Sequence, residues 1–174
     1  MEKEKPNVYL AGPIFTERDR MYLDTLYDGI RQIWPDAEIY APQRNKAIND
    51  KTKSAGALDV YWGDYNRLRD TDILIAVISG DLPPIGTTCE IGIFTELMNN
   101  DQHRKMIGLL DDMREMSVTH SAEKDAAGSG GIGENQYSYC NIFLTGAIKA
   151  HGDLVANSTD LFKAFAKLRD EYGR

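Results

Sequence analysis

Cysteine and histidine are scarce in this chain, which has 2 cysteines and 3 histidines among its 174 residues. Cys89 and Cys140 lie far apart and match no metal-ligand spacing, and the scattered histidines do not complete one. We therefore expect neither a metal ion nor another cofactor. The two thiols could pair in principle, but reduced thiols in a cytoplasmic protein are the better interpretation.

Long hydrophobic runs and basic clusters are also missing. No apolar segment approaches the length needed to cross a bilayer, and no charged-then-hydrophobic leader is present. The net charge is −7, and no group of Lys and Arg stands out beyond the opening MEKEK. Binding to a nucleic acid polymer or to an anionic membrane is therefore disfavoured, whereas nucleoside-sized ligands need no charge neutralisation and stay open.

The composition is otherwise that of an ordinary globular protein, with 42% hydrophobic residues and only 15 glycines and 6 prolines. The length is sufficient for one domain with a sizeable core, and we expect residues 1–174 to form it. A Gly- and Ser-containing stretch at about 111–139 is predicted to be a flexible loop. It contains G-x-G-x-x-G at 128–133, but the strand and the helix that this fingerprint requires are absent on either side.

Strand and helix patterns alternate along the chain. Short strands are expected at NVYLAG, AEIYAP, DILIAVIS, KMIGLL and DLVAN. Helices are expected from Thr16 to Pro35, over ALDVYWGDYNRLRDTD, over TTCEIGIFTELMNN and in a closing segment at 158–172. This order predicts a single α/β domain with a flavodoxin-like or Rossmann-like parallel sheet of about five strands, flanked by helices on both faces.

In such sheets, ligands bind at the carboxyl ends of the strands. Three segments follow strands in the predicted fold: the AGPIF turn, the SGDLPPIGTTCE loop and the DDMRE segment. We expect these three segments to converge on one crevice.

Glu90 is an isolated carboxylate between small residues and an apolar run, and it has two interpretations. Thr87-x-x-Glu90 matches a capping box, in which both side chains close the first turn of a helix. A carboxylate near a helix N-terminus is also kept ionised by the helix dipole, and an ionised, oriented carboxylate can attack a sugar carbon. The two interpretations are compatible.

Four further polar residues have structural explanations when each is taken alone. Asp64 is expected on a solvated helix position, and Asp72 is expected to cap a strand or to pair with Arg67 or Arg69. Tyr9 is a strand aromatic that precedes the turn at the expected crevice, and Asn141 resembles a turn residue. These residues indicate a function only when they are considered together.

The motifs V-Y-L-A-G-P-I-F, D-x-D-I-L-I-A-V, G-T-x-x-E-I-G and N-x-F-x-x-G-A-I occur in this order between about residues 7 and 150. Each is weak alone, but the ordered set resembles the nucleoside 2-deoxyribosyltransferase family, and the closing helix resembles its longer members. The resemblance implies transfer of 2-deoxyribose between purine or pyrimidine bases, with nucleosides and free nucleobases as ligands. A glutamate matching Glu90 attacks C1′ and forms a covalent deoxyribosyl-enzyme, as in retaining glycosidases.

The resemblance also implies roles for individual residues. Tyr9 would orient the nucleophile, and Asp64 would bind substrate and manage protons at the departing base. Phe15 would provide one face of the base pocket, Gly86 lies in the motif around the nucleophile, and Gln43 or Asn45 could contact base edges.

Asn141 resembles a residue that one subunit donates to the sugar hydroxyls of a neighbouring site, which implies a homo-oligomer, either a dimer or a hexamer. Asp112 and Arg114 resemble a D-x-R pair found in some members, and no role is assigned to them. One departure concerns Pro84, which stands where family members often carry an acid that binds the base. Asp81 could replace that acid, so the base preference is left open.

Two other functions stay possible from the sequence. A 2′-deoxynucleoside 5′-monophosphate N-hydrolase would use water as the acceptor and would need phosphate-binding groups near the first turn, where Thr16 and Arg18 lie in an otherwise apolar segment. A non-catalytic nucleotide-sensing module could use the same scaffold. Transfer is favoured over hydrolysis because the turn is apolar, and over sensing because Tyr9, Asp64, Glu90 and Asn141 occur together.

Overall fold

A five-stranded parallel sheet forms the centre of the protein. The computed structural model describes residues 5–45, 56–79, 83–112 and 140–172. Within them the strands run in the order β2-β1-β3-β4-β5, and every neighbouring pair is parallel. This is the strand order of flavodoxin-like folds, as predicted. The strands are β1 (Asn7–Ala11), β2 (Glu38–Tyr40), β3 (Ile73–Val77), β4 (Lys105–Leu109) and β5 (Asp153–Val155).

Helices cover both faces of this sheet. They are α1 (Glu17–Ile33), α2 (Ala57–Arg69), α3 (Ile85–Asn100), α4 (Ile142–His151) and α5 (Ser158–Glu171). The strand order and the helices on both faces confirm the predicted single α/β domain for the part of the chain that is described.

Among the described residues, no helix combines the length and the apolar character that a membrane span needs.

The alternation of side chains along each strand creates two apolar layers. Val8 and Leu10 of β1 pack in one layer with α1 and α5, whereas Tyr9 and Ala11 pack in the other with α2, α3 and α4. All five residues of β3 are buried because this central strand is covered on both faces. Its continuous apolar sequence is the pattern expected of such a strand.

Helix α4 was not predicted, and it changes the interpretation of Asn141. The sequence predicts a turn residue there, but Asn141 is the N-cap of α4, and its side-chain oxygen accepts hydrogen bonds from the backbone N–H groups of Phe143 and Leu144. Asn is a favoured N-cap residue because its side chain satisfies backbone donors that the first turn leaves unpaired. The helix buries Leu144, Thr145 and Ile148 on one side.

Asp72 has a different partner from the predicted arginines. Its Oδ2 accepts a hydrogen bond of 2.7 Å from the backbone N–H of Asn7, while the Asn7 side chain donates to the carbonyl oxygen of Asp70 at 3.0 Å. Arg67 instead lies 3.7 Å from Glu38, and Arg69 lies 3.3 Å from Asp70. Asp72 therefore connects the starts of β1 and β3, and the predicted pairing with Arg67 or Arg69 is wrong.

Two regions singled out in the sequence lie outside the described residues. Most of the predicted loop at about 111–139, including the glycines of its G-x-G-x-x-G pattern, belongs to them, as does Arg114. The long polar segment after β2 is described only in part. It contains a short 3-10 helix, Pro42–Arg44, before residues 46–55, which are not described.

The contact between Gly152 and β4 provides a test of this packing. A Cβ at position 152 would overlap the backbone carbonyl oxygen of Met106, whereas a Cβ at Gly146, inside α4, would meet nothing within 4 Å. We expect Gly152→Ala to lower the free energy of unfolding by about 1–3 kcal/mol. The control Gly146→Ala should leave it unchanged or raise it by about 0.5–1 kcal/mol, because alanine favours helix. Urea unfolding measures both, and a Gly152→Ala protein as stable as the wild type would contradict the described approach of β5 to β4.

Candidate active site

A crevice of about 570 Å³ opens at the carboxyl edge of the sheet. Its lining comes from the turn after β1 (Gly12–Phe15), from α2, and from Pro83–Thr87 at the start of α3, with Glu90 one turn further along. Two of the three segments predicted to converge therefore do so. Asp111 and Asp112, the described part of the third segment, do not line the crevice.

Glu90 is held in this crevice by a hydroxyl group from the sheet. Tyr9, in the middle of β1, is fully buried, and its hydroxyl donates a hydrogen bond of 2.6 Å to Glu90 Oε1. The capping-box interpretation is wrong, because α3 begins at Ile85 with Pro84 as its N-cap and no side-chain capping bond. Thr87 is buried, and Glu90 lies in the second turn, where its partner is Tyr9.

The ionisation of Glu90 also differs from the expectation. The pKa of Glu90 is raised to about 7: burial has the largest effect, the hydrogen bond from Tyr9 lowers the pKa in part, and the negative charge of Asp64 adds to the rise. The helix dipole acts mainly within the first turn of a helix, and Glu90 is the sixth residue of α3. Burial therefore outweighs the dipole, and this carboxylate titrates near neutral pH.

Tyr9 stays protonated and acts as a hydrogen-bond donor at any pH near neutrality. Burial raises the pKa of Tyr9 far above its ordinary value, and the negative charges of Glu90 and Asp64 raise it further. The hydroxyl thus keeps its proton and can give a hydrogen bond to the ionised Glu90. A hydrogen bond to a charged acceptor is shorter and stronger than one between neutral groups, in agreement with the 2.6 Å distance.

Asp64 extends from α2 into the same crevice and has a tyrosine of its own. The hydroxyl of Tyr40 donates a hydrogen bond of 2.8 Å to Asp64 Oδ1, and Asn45 Nδ2 donates one of 3.0 Å to the Tyr40 hydroxyl. Burial raises the pKa of Asp64, and the hydrogen bond from Tyr40 lowers it in part. Asp64 is thus half-buried and hydrogen-bonded, not the solvated helix residue that its sequence context suggested.

The sequence interpretation missed Tyr40. The residue closes β2, so the rule that parallel strands present functional groups at their carboxyl ends could have pointed to it. Its aromatic ring also packs against Tyr9, with ring centroids 5.0 Å apart.

The predicted substrate-binding residues have different locations. Phe15 is 91% exposed at the rim of the crevice, and Gly86 lies in its lining. Gln43 and Asn45 do not line the crevice: Asn45 contacts Tyr40, and the side-chain amide of Gln43 is buried without a hydrogen-bond partner among the described residues. Asp81 lies outside the described residues.

Asn141 is exposed and does not line the crevice of its own chain. A smaller apolar pocket of about 150 Å³ adjoins Asp64 and Glu90 on the side of α2 and α3. Tyr61 and Tyr65 line it, with rings stacked 5.6 Å apart. The two carboxylates thus stand between a wide crevice and a small aromatic pocket.

The raised pKa of Glu90 predicts that this residue destabilises the fold above neutral pH. A carboxyl whose folded pKa of about 7 exceeds its reference value of 4.5 keeps its proton longer when folded, so stability is lost as the pH rises through that window. Glu90→Gln retains an acceptor for Tyr9 and does not titrate. We expect it to raise the free energy of unfolding by up to about 3 kcal/mol at pH 8 and by little at pH 4.5.

Urea unfolding at the two pH values measures this difference. Glu96→Gln, on an exposed position of the same helix, is the matched control and should change stability little at either pH. A Glu90→Gln effect that is independent of pH would show that the burial of the charged carboxylate does not carry this cost.

Solved structures share this fold. A conserved protein from Enterococcus faecalis V583 is 28% identical with a TM-score of 0.75, and the match covers 94% of this chain and 99% of that one. The 2-desoxiribosyltransferase from Leishmania mexicana is 18% identical with a TM-score of 0.58, covering 93% and 97%. The 2-deoxyribosyltransferase from Bacillus psychrosaccharolyticus is 14% identical with a TM-score of 0.61, covering 93% and 95%. At these identities the last two show the fold alone.

Curated proteins provide no significant match to the sequence. A family model does match: that of nucleoside 2-deoxyribosyltransferase, over residues 8–157. The matched range contains Tyr9, Asp64 and Glu90 and extends beyond Asn141. The resemblance noted in the ordered motifs is thereby confirmed, and the chain belongs to the nucleoside 2-deoxyribosyltransferase family.

Proposed function

We propose that this protein transfers 2-deoxyribose between nucleobases by double displacement, through a covalent deoxyribosyl intermediate on Glu90. The observation that carries the proposal is the 2.6 Å hydrogen bond from Tyr9 to Glu90 Oε1 inside the crevice. It holds one oxygen of the carboxylate and leaves the other, Oε2, as the nucleophile. Family membership supports a transferase acting on nucleosides, and Glu90 would be its nucleophile.

In the first step, Glu90 Oε2 attacks C1′ of a 2′-deoxynucleoside. The C1′–N bond breaks, its electron pair goes to the base nitrogen, and a C1′–O ester forms. The transition state resembles an oxocarbenium ion, which the nearby negative carboxylate stabilises. The reaction needs Glu90 in its ionised form, so its pKa of about 7 places the rising limb of the pH profile near neutrality.

Asp64 would provide the proton that the departing base requires. Asp64 lines the crevice beside Glu90, and burial raises the pKa of Asp64, so its carboxyl takes up a proton more readily than a carboxyl in water does. In the second step a new base attacks C1′, the ester bond breaks, and the electron pair returns to Glu90. The proton of the incoming nitrogen returns to Asp64, and two inversions give overall retention.

The rim of the crevice suits a flat, weakly polar base. Phe15 and Ile85 are 91% and 88% exposed, and both line the opening. The ring of Phe15 would stack on a nucleobase, which stabilises binding. A base bound there would also cover the crevice and exclude water from the deoxyribosyl ester on Glu90. We assign the base to this rim, with Gly86 allowing close approach beneath it and Asp81 as a proposed polar contact to purine or pyrimidine edges, whereas Gln43 and Asn45, which do not line the crevice, receive no such role. Such exchange would serve nucleoside salvage in the cytoplasm.

The exposed apolar residues support a homo-oligomer. Leu58 and Trp62 of α2 are 71% and 51% exposed, and Phe143 at the start of α4 is 86% exposed. Contiguous exposed apolar surface is commonly covered by a partner, and we propose that these side chains contribute to such an interface. The side-chain oxygen of Asn141, two residues before Phe143, caps α4, and its NH₂ group would donate to the sugar hydroxyls of a neighbouring subunit.

Mixed oligomers test whether Asn141 acts in a neighbouring site. Asn141→Ser keeps a capping oxygen and removes the amide NH₂. We expect Asn141→Ser and Glu90→Ala each to be nearly inactive alone. After the two are dissociated and reassembled together, roughly a quarter of wild-type activity should return, because mixed dimers contain one intact site. The control mixes Glu90→Ala with Asp64→Ala. Because Asp64 and Glu90 line the crevice of the same chain, no mixed dimer contains an intact site, and this mixture should stay inactive. Lack of recovery with Asn141→Ser would contradict a role in the neighbouring site.

The reaction itself is tested by incubating the protein with 2′-deoxyinosine and either free adenine or free cytosine. We expect the corresponding new deoxynucleoside to form, as measured by chromatography. Glu90→Ala should reduce the rate by roughly 10³-fold or more while circular dichroism remains that of a folded protein. Mass spectrometry of the protein incubated with deoxyinosine alone should find deoxyribose on the peptide containing Glu90.

Three results would contradict this proposal. Release of free base without exchange, especially from 2′-deoxyinosine 5′-monophosphate, would indicate the hydrolase. Binding of nucleoside without any product would indicate a sensing module. Activity of Glu90→Ala equal to that of the control Glu96→Gln would show that another residue carries the sugar.

A further inference from the structure

We propose that Tyr40, held by Asn45, is a positioning residue that sets which oxygen of Asp64 exchanges the proton with the base. The inference rests on the proposed function, in which Asp64 protonates the departing base. Tyr40 contacts Asp64 Oδ1 at 2.8 Å, and Asn45 contacts the Tyr40 hydroxyl at 3.0 Å. The proton that moves is therefore carried by Oδ2.

The chain of hydrogen bonds has one direction. A tyrosine hydroxyl carries a single hydrogen, and an amide NH₂ can only donate. Because Asn45 Nδ2 donates to the Tyr40 oxygen, the hydrogen of Tyr40 is directed at Asp64 Oδ1. Oδ1 is then an acceptor both before and after proton transfer. When the proton on Oδ2 moves to the base nitrogen, the electron pair of the O–H bond stays on the carboxylate, and the hydrogen bond from Tyr40 stabilises the new charge.

The sheet register explains why two tyrosines serve two carboxylates. Tyr9 and Tyr40 are direct partners in the parallel pairing of β1 with β2, so their side chains lie on the same face. Their ring centroids are 5.0 Å apart, with an angle of 54° between the ring planes. Tyr9 donates to Glu90 and Tyr40 donates to Asp64. In each carboxylate, one oxygen therefore accepts a hydrogen bond from a tyrosine of the sheet, and the other is available to the substrate.

Several charged or titratable groups lie around Asp64. Glu90 of α3 and Tyr9 of β1 interact with it electrostatically. The guanidinium group of Arg67 lies 5.5 Å from the centre of the Tyr40 ring and pairs with Glu38. On its own helix, Tyr61 and Tyr65 line the adjoining pocket.

Among these groups, only Tyr40 lowers the pKa of Asp64 through a described hydrogen bond, while burial raises it. Removing the Tyr40 hydroxyl should therefore raise the pKa of Asp64. It should also leave the carboxylate formed by proton transfer less stabilised. The rate of the step that protonates the base then falls, although substrate contacts in the crevice are retained.

The test uses Tyr40→Phe, which keeps the ring packed against Tyr9 and removes the hydroxyl. We expect kcat for base exchange to fall on the order of 10- to 100-fold, with KM changing about threefold or less. The limb of the kcat–pH profile that reports Asp64 should move to higher pH. Asn45→Ala should cause a smaller change in the same direction. Tyr27→Phe, which removes a hydroxyl that accepts a hydrogen bond from Arg31, is the matched control and should behave as wild type.

A double-mutant cycle separates positioning from a general effect on folding. If Tyr40 acts through Asp64, then Tyr40→Phe should cost little further activity in an Asp64→Asn background. Equal fold losses in the wild-type and Asp64→Asn backgrounds would overturn the inference. A kcat–pH profile of Tyr40→Phe identical to that of the wild type would also overturn it, and the transferase proposal would stand.

A readout that needs no activity keeps the two proposals distinguishable. Carbon-13 NMR of labelled aspartate carboxyls follows the titration of Asp64 directly, with Asp64→Asn used to assign the signal. We expect a higher pKa of Asp64 in Tyr40→Phe than in the wild type, whether or not the protein exchanges bases. An unchanged pKa would overturn the inference. A shifted pKa in a protein that shows no exchange would support the hydrogen-bond chain and contradict the transferase.

Discussion

The hydrogen bond between Tyr9 and Glu90 is the interaction on which the described site depends. It joins the middle of β1 to the second turn of α3 across 81 positions of sequence. Removing a carboxylate from water disfavours its charged form, and the pKa of Glu90 near 7 reflects that cost. The hydroxyl of Tyr9 keeps its proton at this pH, and its hydrogen bond stabilises the charged carboxylate of Glu90.

The architecture delivers these groups in pairs. Parallel pairing of β1 with β2 places Tyr9 beside Tyr40, and the helices α2 and α3 bring Asp64 and Glu90 over them. Because strands are far stiffer than loops, the two hydroxyls have a fixed separation, and so do the carboxylate oxygens that they hold. Precise placement of groups on rigid elements is what a two-step displacement at one sugar carbon requires.

The residues of the candidate site lower the stability of the fold. Glu90 is a half-buried acid beside an apolar layer, and several large apolar side chains are left exposed near the crevice, among them Phe15 and Ile85. The fully buried central strand β3 and its two flanking layers supply the apolar burial that offsets these features. The site thus lies at the edge of the sheet, where the core ends and ligands can enter.

Local patterns in the sequence determined the five strands, four of the five described helices, the parallel α/β architecture and the family. Each of these depends on residues close together in the chain or on motifs in a known order. The tertiary structure decided what the patterns could not: that Thr87 is buried, that Asn141 caps a helix, and that Asp72 bonds to Asn7. It alone showed that Tyr40 and Asn45 belong to the network around Asp64. The physical reason is that strand register and helix packing join residues distant in sequence, and burial then sets the pKa of each acid.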